Sequence, residues 1–431
     1  MLLRLLPILL ASALGLACPA QVPLAEVAKL ARERAERSRP AQQAALEPFW
    51  ADLQLDYRIN QQHLDQKIAE VAALGDSVVP LLLEKLQPAQ GGDTARHLAG
   101  NCRRVLEKLD PGSFLDALVE LANSRNDVAR SEAIRLLGLA PAAAPILTDL
   151  LDRTAGEEKR LVVRSLRQLK ATAAAPKVVG MLGSGDRQLR EEVLAFLVAA
   201  RAGQVVDVVV QALANERDNN LLPWYVEYFG AAVKANDAAA RALLPLLDRD
   251  RLNWADARRL VQALATVAPH EHEPTIRRLQ QILDEGDTSS LAVQAAVTLR
   301  ALGDRQGVTK LKRTLDEQLR KPSRRREAAL YETRANLLFA VDEYAEAFAD
   351  YEKVLEYQDG MAMARRAYIG QMRCEARRKK TQNLLRLMKQ SGFLVAEIEA
   401  IGQDDPVFAE TLQQDRVRAF LRDLAKEQTA R

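Results

Sequence analysis

Between residues 126 and 200 the apolar positions trace one helical stripe that returns. Ala129, Ala133, Leu136, Leu137 and Ala140 follow i, i+4, i+7, i+8 and i+11, the pattern of a helix with one buried face. Leu189, Val193, Phe196, Leu197 and Ala200 repeat it sixty residues later. Midway, Val163, Leu166 and Leu169 keep most of the stripe, while Lys159 and Arg167 break it. Arg130, Arg160 and Arg190 mark one position at a spacing of thirty. After each such helix comes a turn and a second apolar segment: "PAAAPILTDLL", "AAAPKVVGML", "GQVVDVVVQAL". Elsewhere the unit reads "AALGDSVVPLLLEKL" (72–86) and "RALGDRQGVTKLKRTL" (300–315). The shared glycine is expected as a left-handed helix cap and the aspartate as a cap for the next helix. The pattern predicts about eight helix pairs from roughly 60 to 319. After 215 the spacing drifts to 33–36 residues.

A thirty-residue pair cannot bury its apolar face alone and must stack on its neighbours, which makes an all-α solenoid of antiparallel helix pairs. Asp127, Arg130, Ala133 and the Leu-Gly turn resemble the short HEAT repeats of phycobilisome-lyase-like proteins. The resemblance spans over half the chain and rests on packing residues, so it speaks to fold; because such families include enzymes, an enzyme or enzyme accessory is an alternative it implies.

The register then changes. "YETRANLLFAVDEYAEAFADYEKVLEYQD" (331–359) resembles a tetratricopeptide repeat, with Ala335, Leu338, Tyr344, Ala347 and Tyr351 at its interlocking positions and Arg334 where a leucine is usual. A poorer unit follows, in which Gly370 fits and Gln382 does not. The tail "SGFLVAEIEAIGQDDPVFAETLQQDRVRAFL" looks like the helical ending of bacterial arrays of this kind. The expected organisation is therefore a signal peptide (1–20), an N-terminal helical cap (21–59), HEAT-like pairs (60–319), a basic junction (320–327), tetratricopeptide-like repeats (328–390) and a C-terminal cap (391–431).

The leader sharpens where the chain works. Arg4 and a twelve-residue apolar run from Leu5 to Leu16 are too short to span a bilayer and read as an export signal. Export to the periplasm or beyond is the expectation. Cys18 would then be removed, left as a free N-terminal cysteine, or lipid-modified. Cys102 and Cys374 sit within helical core patterns, so a disulfide is not expected.

Charge is balanced, with a formal net of +3 over 431 residues, and implies no global electrostatic partner. Two local clusters stand out. Arg324, Arg325 and Arg326 close the junction "RKPSRRR", and Arg377, Arg378, Lys379 and Lys380 fill a turn. They are solvated or paired internally with the acidic segment 342–359, or else they face an acidic protein or an anionic lipid. Nucleic acid is not expected, because no aromatics interleave with the cations.

Trp224, Tyr225, Tyr228 and Phe229 either belong to the core or line a peptide groove, with Trp224 and Tyr225 as the groove candidates. "PHEHEP" (269–274) offers two imidazoles but no third ligand, and reads as a solvated loop rather than a metal site. No nucleophile–base pair, metal motif or phosphate-binding loop emerges, and no cofactor is expected. The reading is a non-catalytic scaffold that binds protein partners.

Overall fold

Side-chain caps set the boundaries of many helices. Asn126 accepts backbone N–H bonds from Val128 and Ala129, and Asp186 does the same for Gln188 and Leu189. Asn236 and Asn253 each cap the next helix in turn. These short polar side chains satisfy amide groups that a helix start leaves without partners. The two Ala-Leu-Gly-Asp turns behave as expected at glycine: Gly75 has φ of 73° and Gly303 of 99°. At Gly303 a Cβ would also fall 2.8 Å from the exposed His270 ring, which would have to move aside. Asp304 accepts the Gln306 amide at 2.7 Å and starts the following helix.

The structure, a computed structural model, describes residues 39–86, 92–248, 252–286, 288–320, 326–357 and 360–429. The leader with Cys18, the segment 22–38, Arg324 and Arg325 lie outside them. The described residues form an all-α solenoid, with helices packed on their neighbours in sequence order and no strand among them. By contacts the chain divides between Ala174 and Ala175.

In the first unit a helix at 39–46 precedes α1 (Trp50–Leu53), α2 (Gln61–Ala72), α3 (Val79–Lys85), α4 (Asp93–Lys108), α5 (Leu115–Ala122), α6 (Asp127–Leu137), α7 (Ala144–Leu150) and α8 (Gly156–Gln168). Helices α2, α4, α6 and α8 pack one upon the next. Arg130 shows why arginine recurs in the pattern. Its guanidinium donates to the Ser124 carbonyl at 2.9 Å, to Asp127 at 2.6 Å and to Glu158 of α8 at 2.8 Å. One side chain thereby holds its own turn and the next helix.

The second unit runs through α9 (Ala175–Val178), α10 (Arg187–Ala200), α11 (Val206–Asn215), α12 (Leu222–Ala232), α13 (Asp237–Leu243), α14 (Trp254–Val267), α15 (Glu273–Asp284), α16 (Ser290–Ala301) and α17 (Gln306–Arg320). It continues with α18 (Glu327–Ala340), α19 (Tyr344–Tyr357), α20 (Met361–Arg377), α21 (Thr381–Gln390), α22 (Val395–Asp404), α23 (Pro406–Leu412) and α24 (Asp415–Thr429). Helices α10, α12, α14, α16 and α18 form one layer, and α11, α13, α15 and α17 another. Arg190 repeats the role of Arg130, donating to the Ser184 carbonyl at 2.8 Å and reaching Glu216 at 3.4 Å. The change of register near 320 falls inside this unit, since α18 packs on both α16 and α17.

Beyond that change, helices interlock small against large. Tyr351 of α19 lies over Gly370 of α20, where a Cβ would fall 2.3 Å from its ring. Arg334 of α18 pairs with both oxygens of Asp350 at 2.7 Å and with Asp316 at 2.6 Å. The C-terminal helices close over a core that includes Met388, Phe393, Ile398 and Phe408.

Candidate functional site

A groove opens between α12 and α14. Pro223 starts α12, where its missing N–H costs nothing and its fixed φ favours the helix. The next residue, Trp224, is half-buried and floors the groove, and Glu227 and Gly230 follow on the same side of α12. From α14 come Arg259, Gln262 and Thr266, spaced i, i+3 and i+7 on one face. Gly230 permits the close approach of the helices, because a Cβ there would lie 3.2 Å from the Ala263 methyl. The space enclosed is about 690 Å³.

The groove is chemically mixed. Arg259 is held loosely by Asp256 at 3.3 Å, and its side chain remains 70% exposed. Glu227 is exposed and makes no ion pair among the described residues. An indole face, a carboxylate, a guanidinium, an amide and a hydroxyl can together hold a polypeptide by stacking, ion pairing and hydrogen bonds. The lining brings together no nucleophile with a base beside it.

Tyr225 requires a correction. Its side chain is 0% exposed, and its hydroxyl points away towards Glu216 at 3.5 Å. Burial, with the Glu216 charge adding, raises its phenol above the ordinary range. Tyr228 is buried likewise, donates to the Ala202 carbonyl at 2.9 Å and meets Phe229 edge-on. The i, i+4 spacing within this aromatic group serves the core, and Trp224 alone of the four reaches the groove. The polar stripe of α14 was present in the sequence as Arg259, Gln262 and Thr266, but only packing identifies α14 as the wall opposite Trp224.

The basic turn separates into two pairs. Arg377 donates to the buried Asp405 at 3.0 Å, which Arg373 also approaches at 3.5 Å. Arg378 donates to Glu375, a fully buried carboxylate whose other oxygen accepts from Asn383. Internal pairing therefore holds for both arginines, with carboxylates other than those expected. The acidic segment engages Arg300, Lys312, Arg334 and Lys353 instead. Lys379, at φ of 57°, ends α20, and the Lys380 amide returns to the Glu375 carbonyl. Both lysine side chains face solvent with no ion pair among the described residues. Arg326 is exposed at the start of α18.

The "PHEHEP" segment is less solvated than its composition suggests. His270 is exposed, but His272 is buried, with Nδ1 2.7 Å from the Thr275 hydroxyl and Nε2 2.9 Å from Asp237. It joins the start of α15 to the start of α13. Among the described residues no group of three or more His, Cys, Asp or Glu is placed to hold a metal ion. Cys102 and Cys374 are buried, and burial pushes both thiols up to about 12.

No protein-family model matches the chain, and no curated protein matches it significantly. Among solved structures it is similar to an engineered protein from the Northeast Structural Genomics Consortium, at 18% identity and a TM-score of 0.40, over 75% of this chain and 91% of that one.

Proposed function

We propose that this chain is a non-catalytic scaffold that binds a protein partner through grooves between neighbouring helices of the solenoid, with HEAT-like pairs followed by tetratricopeptide-like repeats. The observation that carries the reading is the Trp224 groove. It is open to solvent, and it presents a half-exposed indole together with an acidic and a basic side chain. Export, by the leader at 1–20, would place that partner outside the cytoplasm.

Mild crosslinking in the source cell, followed by identification of co-purified proteins, tests the reading. A partner captured by the natural chain and lost with Trp224→Ala or Arg259→Glu supports it. Reproducible capture that ignores both substitutions, or turnover of a small molecule by the purified chain, would overturn it.

The exposed lysine pair at 379–380 favours a second reading, recruitment to an anionic membrane surface aided by Arg324, Arg325 and Arg326. That reading expects sedimentation with phosphatidylserine vesicles, abolished when these three arginines become glutamate. Vesicle binding of equal strength with neutral lipid argues against it.

A further inference from the structure

The Trp224 groove has an apolar floor and two walls of opposite charge. Val226 and Ala263 are buried at its base, and Gly230, with no side chain, leaves a notch beside the Ala263 methyl. Glu227 belongs to the α12 wall and Arg259 to the α14 wall. Elsewhere in the molecule such charges on neighbouring helices close on one another. Arg130 of α6 meets Glu158 of α8 at 2.8 Å, and Arg366 of α20 takes both oxygens of Glu332 of α18 at 2.6 and 3.0 Å. Across this groove they do not. Glu227 has no ion pair among the described residues, and Arg259 reaches only Asp256 of its own helix.

We propose that the groove takes an amphipathic helix of the partner, whose apolar stripe is flanked by cations on one side and anions on the other. The inference rests on the reading of Trp224 as a contact, and adds the form and charge of what binds there. Form follows from the backbone. Both walls are helices whose main-chain groups bond within themselves, so the groove offers an extended peptide no strand edge. An extended segment would lay unpaired N–H and C=O groups on Val226 and Ala263, whereas a helix arrives with its own already paired. Charge follows from the walls. A helix lying along the groove brings one flank over Glu227 and the other over Arg259, so the first is basic and the second acidic. Turning it end for end exchanges the flanks and sets like charges together, so the same two residues fix its direction. A bulky residue of the stripe fills the notch at Gly230, and the indole gives the stripe a flat apolar face to pack on. The fourteen residues of α14 offer about 21 Å of wall, room for roughly four turns.

Peptide display against the immobilised full chain tests it. One library holds peptides of about sixteen residues in an alanine-rich helical frame, with the stripe and both flanks randomised. A second carries two prolines in the same frame, which forbid the helix. The helical library should yield ligands with an apolar stripe, Lys or Arg on one flank and Asp or Glu on the other, whose binding falls at least tenfold with Trp224→Ala. Selection against Glu227→Lys should return acidic residues on both flanks, and selection against Arg259→Glu basic residues on both. Neither charged residue is buried, so both reversed chains should melt within a few degrees of the natural one. Trp224-dependent ligands that come only from the proline library, or whose flanks ignore the two reversals, would overturn this inference and leave the groove reading standing. Ligands indifferent to Trp224→Ala, or none from either library, would overturn both.

Discussion

Arg334 places a cation in the packed face of α18, and it can stay there only because two carboxylates arrive from elsewhere. Asp350 is 5% exposed and meets the guanidinium with both oxygens. Removing the cation would strand that carboxylate, so Arg334→Leu should lower unfolding stability by ~3 kcal/mol in urea titrations. The double variant with Asp350→Leu should recover much of the loss, since two apolar side chains can replace a buried pair. The sequence marked Arg334 as an exception, but the reason was not legible in it, because Asp316 belongs to the preceding helix and meets Arg334 only through packing. The cysteines give a second test. Both thiols titrate near 12 because of burial, so iodoacetamide at pH 8 should label neither Cys102 nor Cys374 until denaturant is added. A single label on the native chain would report a retained, unmodified Cys18. The raised thiols and the buried phenols of Tyr225, Tyr228 and Tyr351 shift in one direction, each favouring its protonated form in the fold. Their contribution is complete below pH about 9, the ordinary thiol value, and is lost as pH rises above it. Melting temperature should therefore fall steadily above pH 9, and the cysteine part of that fall should shrink in Cys102→Ala and vanish only when Cys374→Ala is added.

Helices were readable wherever a 3.6-residue stripe persisted, and so were the two Ala-Leu-Gly-Asp turns at glycine. Of their aspartates Asp304 caps the next helix and Asp76 does not, and the asparagine caps were not anticipated. Which helix faces which was not readable. The block Arg377–Lys380 looks uniform as text, yet the end of α20 turns two cations inward to Asp405 and Glu375 and leaves two outside. His272 follows the same logic: nothing in its neighbours in sequence indicates that Asp237 will meet its ring. Close packing of elements makes the sharpest prediction at this scale. Gly370→Ala would drive a methyl into the Tyr351 ring, with no slack in a side chain that is itself buried. A loss of ~2–3 kcal/mol is expected in chemical denaturation. Restoring space with Tyr351→Leu in the same chain should return part of it.

For the whole molecule, the sequence conveyed the architecture and left the candidate site half-written. Trp224 was visible as an aromatic after a proline, but its groove exists only because Gly230 lets α14 approach and because Arg259, Gln262 and Thr266 share a face across from it. Packing also removed Tyr225 from the surface, which spacing alone left open. If the groove is the contact, Trp224→Ala should weaken partner binding by about thirtyfold, the ~2 kcal/mol of an aromatic hot spot, in a titration against the captured partner. The same substitution should leave cooperative unfolding intact, because the indole is only half-buried. Loss of fold and loss of binding together would instead place Trp224 in the core.

The arginine ties carry a consequence for how such a chain can change over generations. Arg130 reaches a carboxylate 28 residues ahead, and Arg190 one 26 residues ahead. Duplicating or deleting one full helix pair would give Arg130 or Arg190 a carboxylate in an equivalent place. Inserting half a pair leaves one arginine facing the wrong helix and a turn without its brace. Between Arg130 and Glu216, insertions or deletions of whole thirty-residue steps are therefore expected to disturb the packing least.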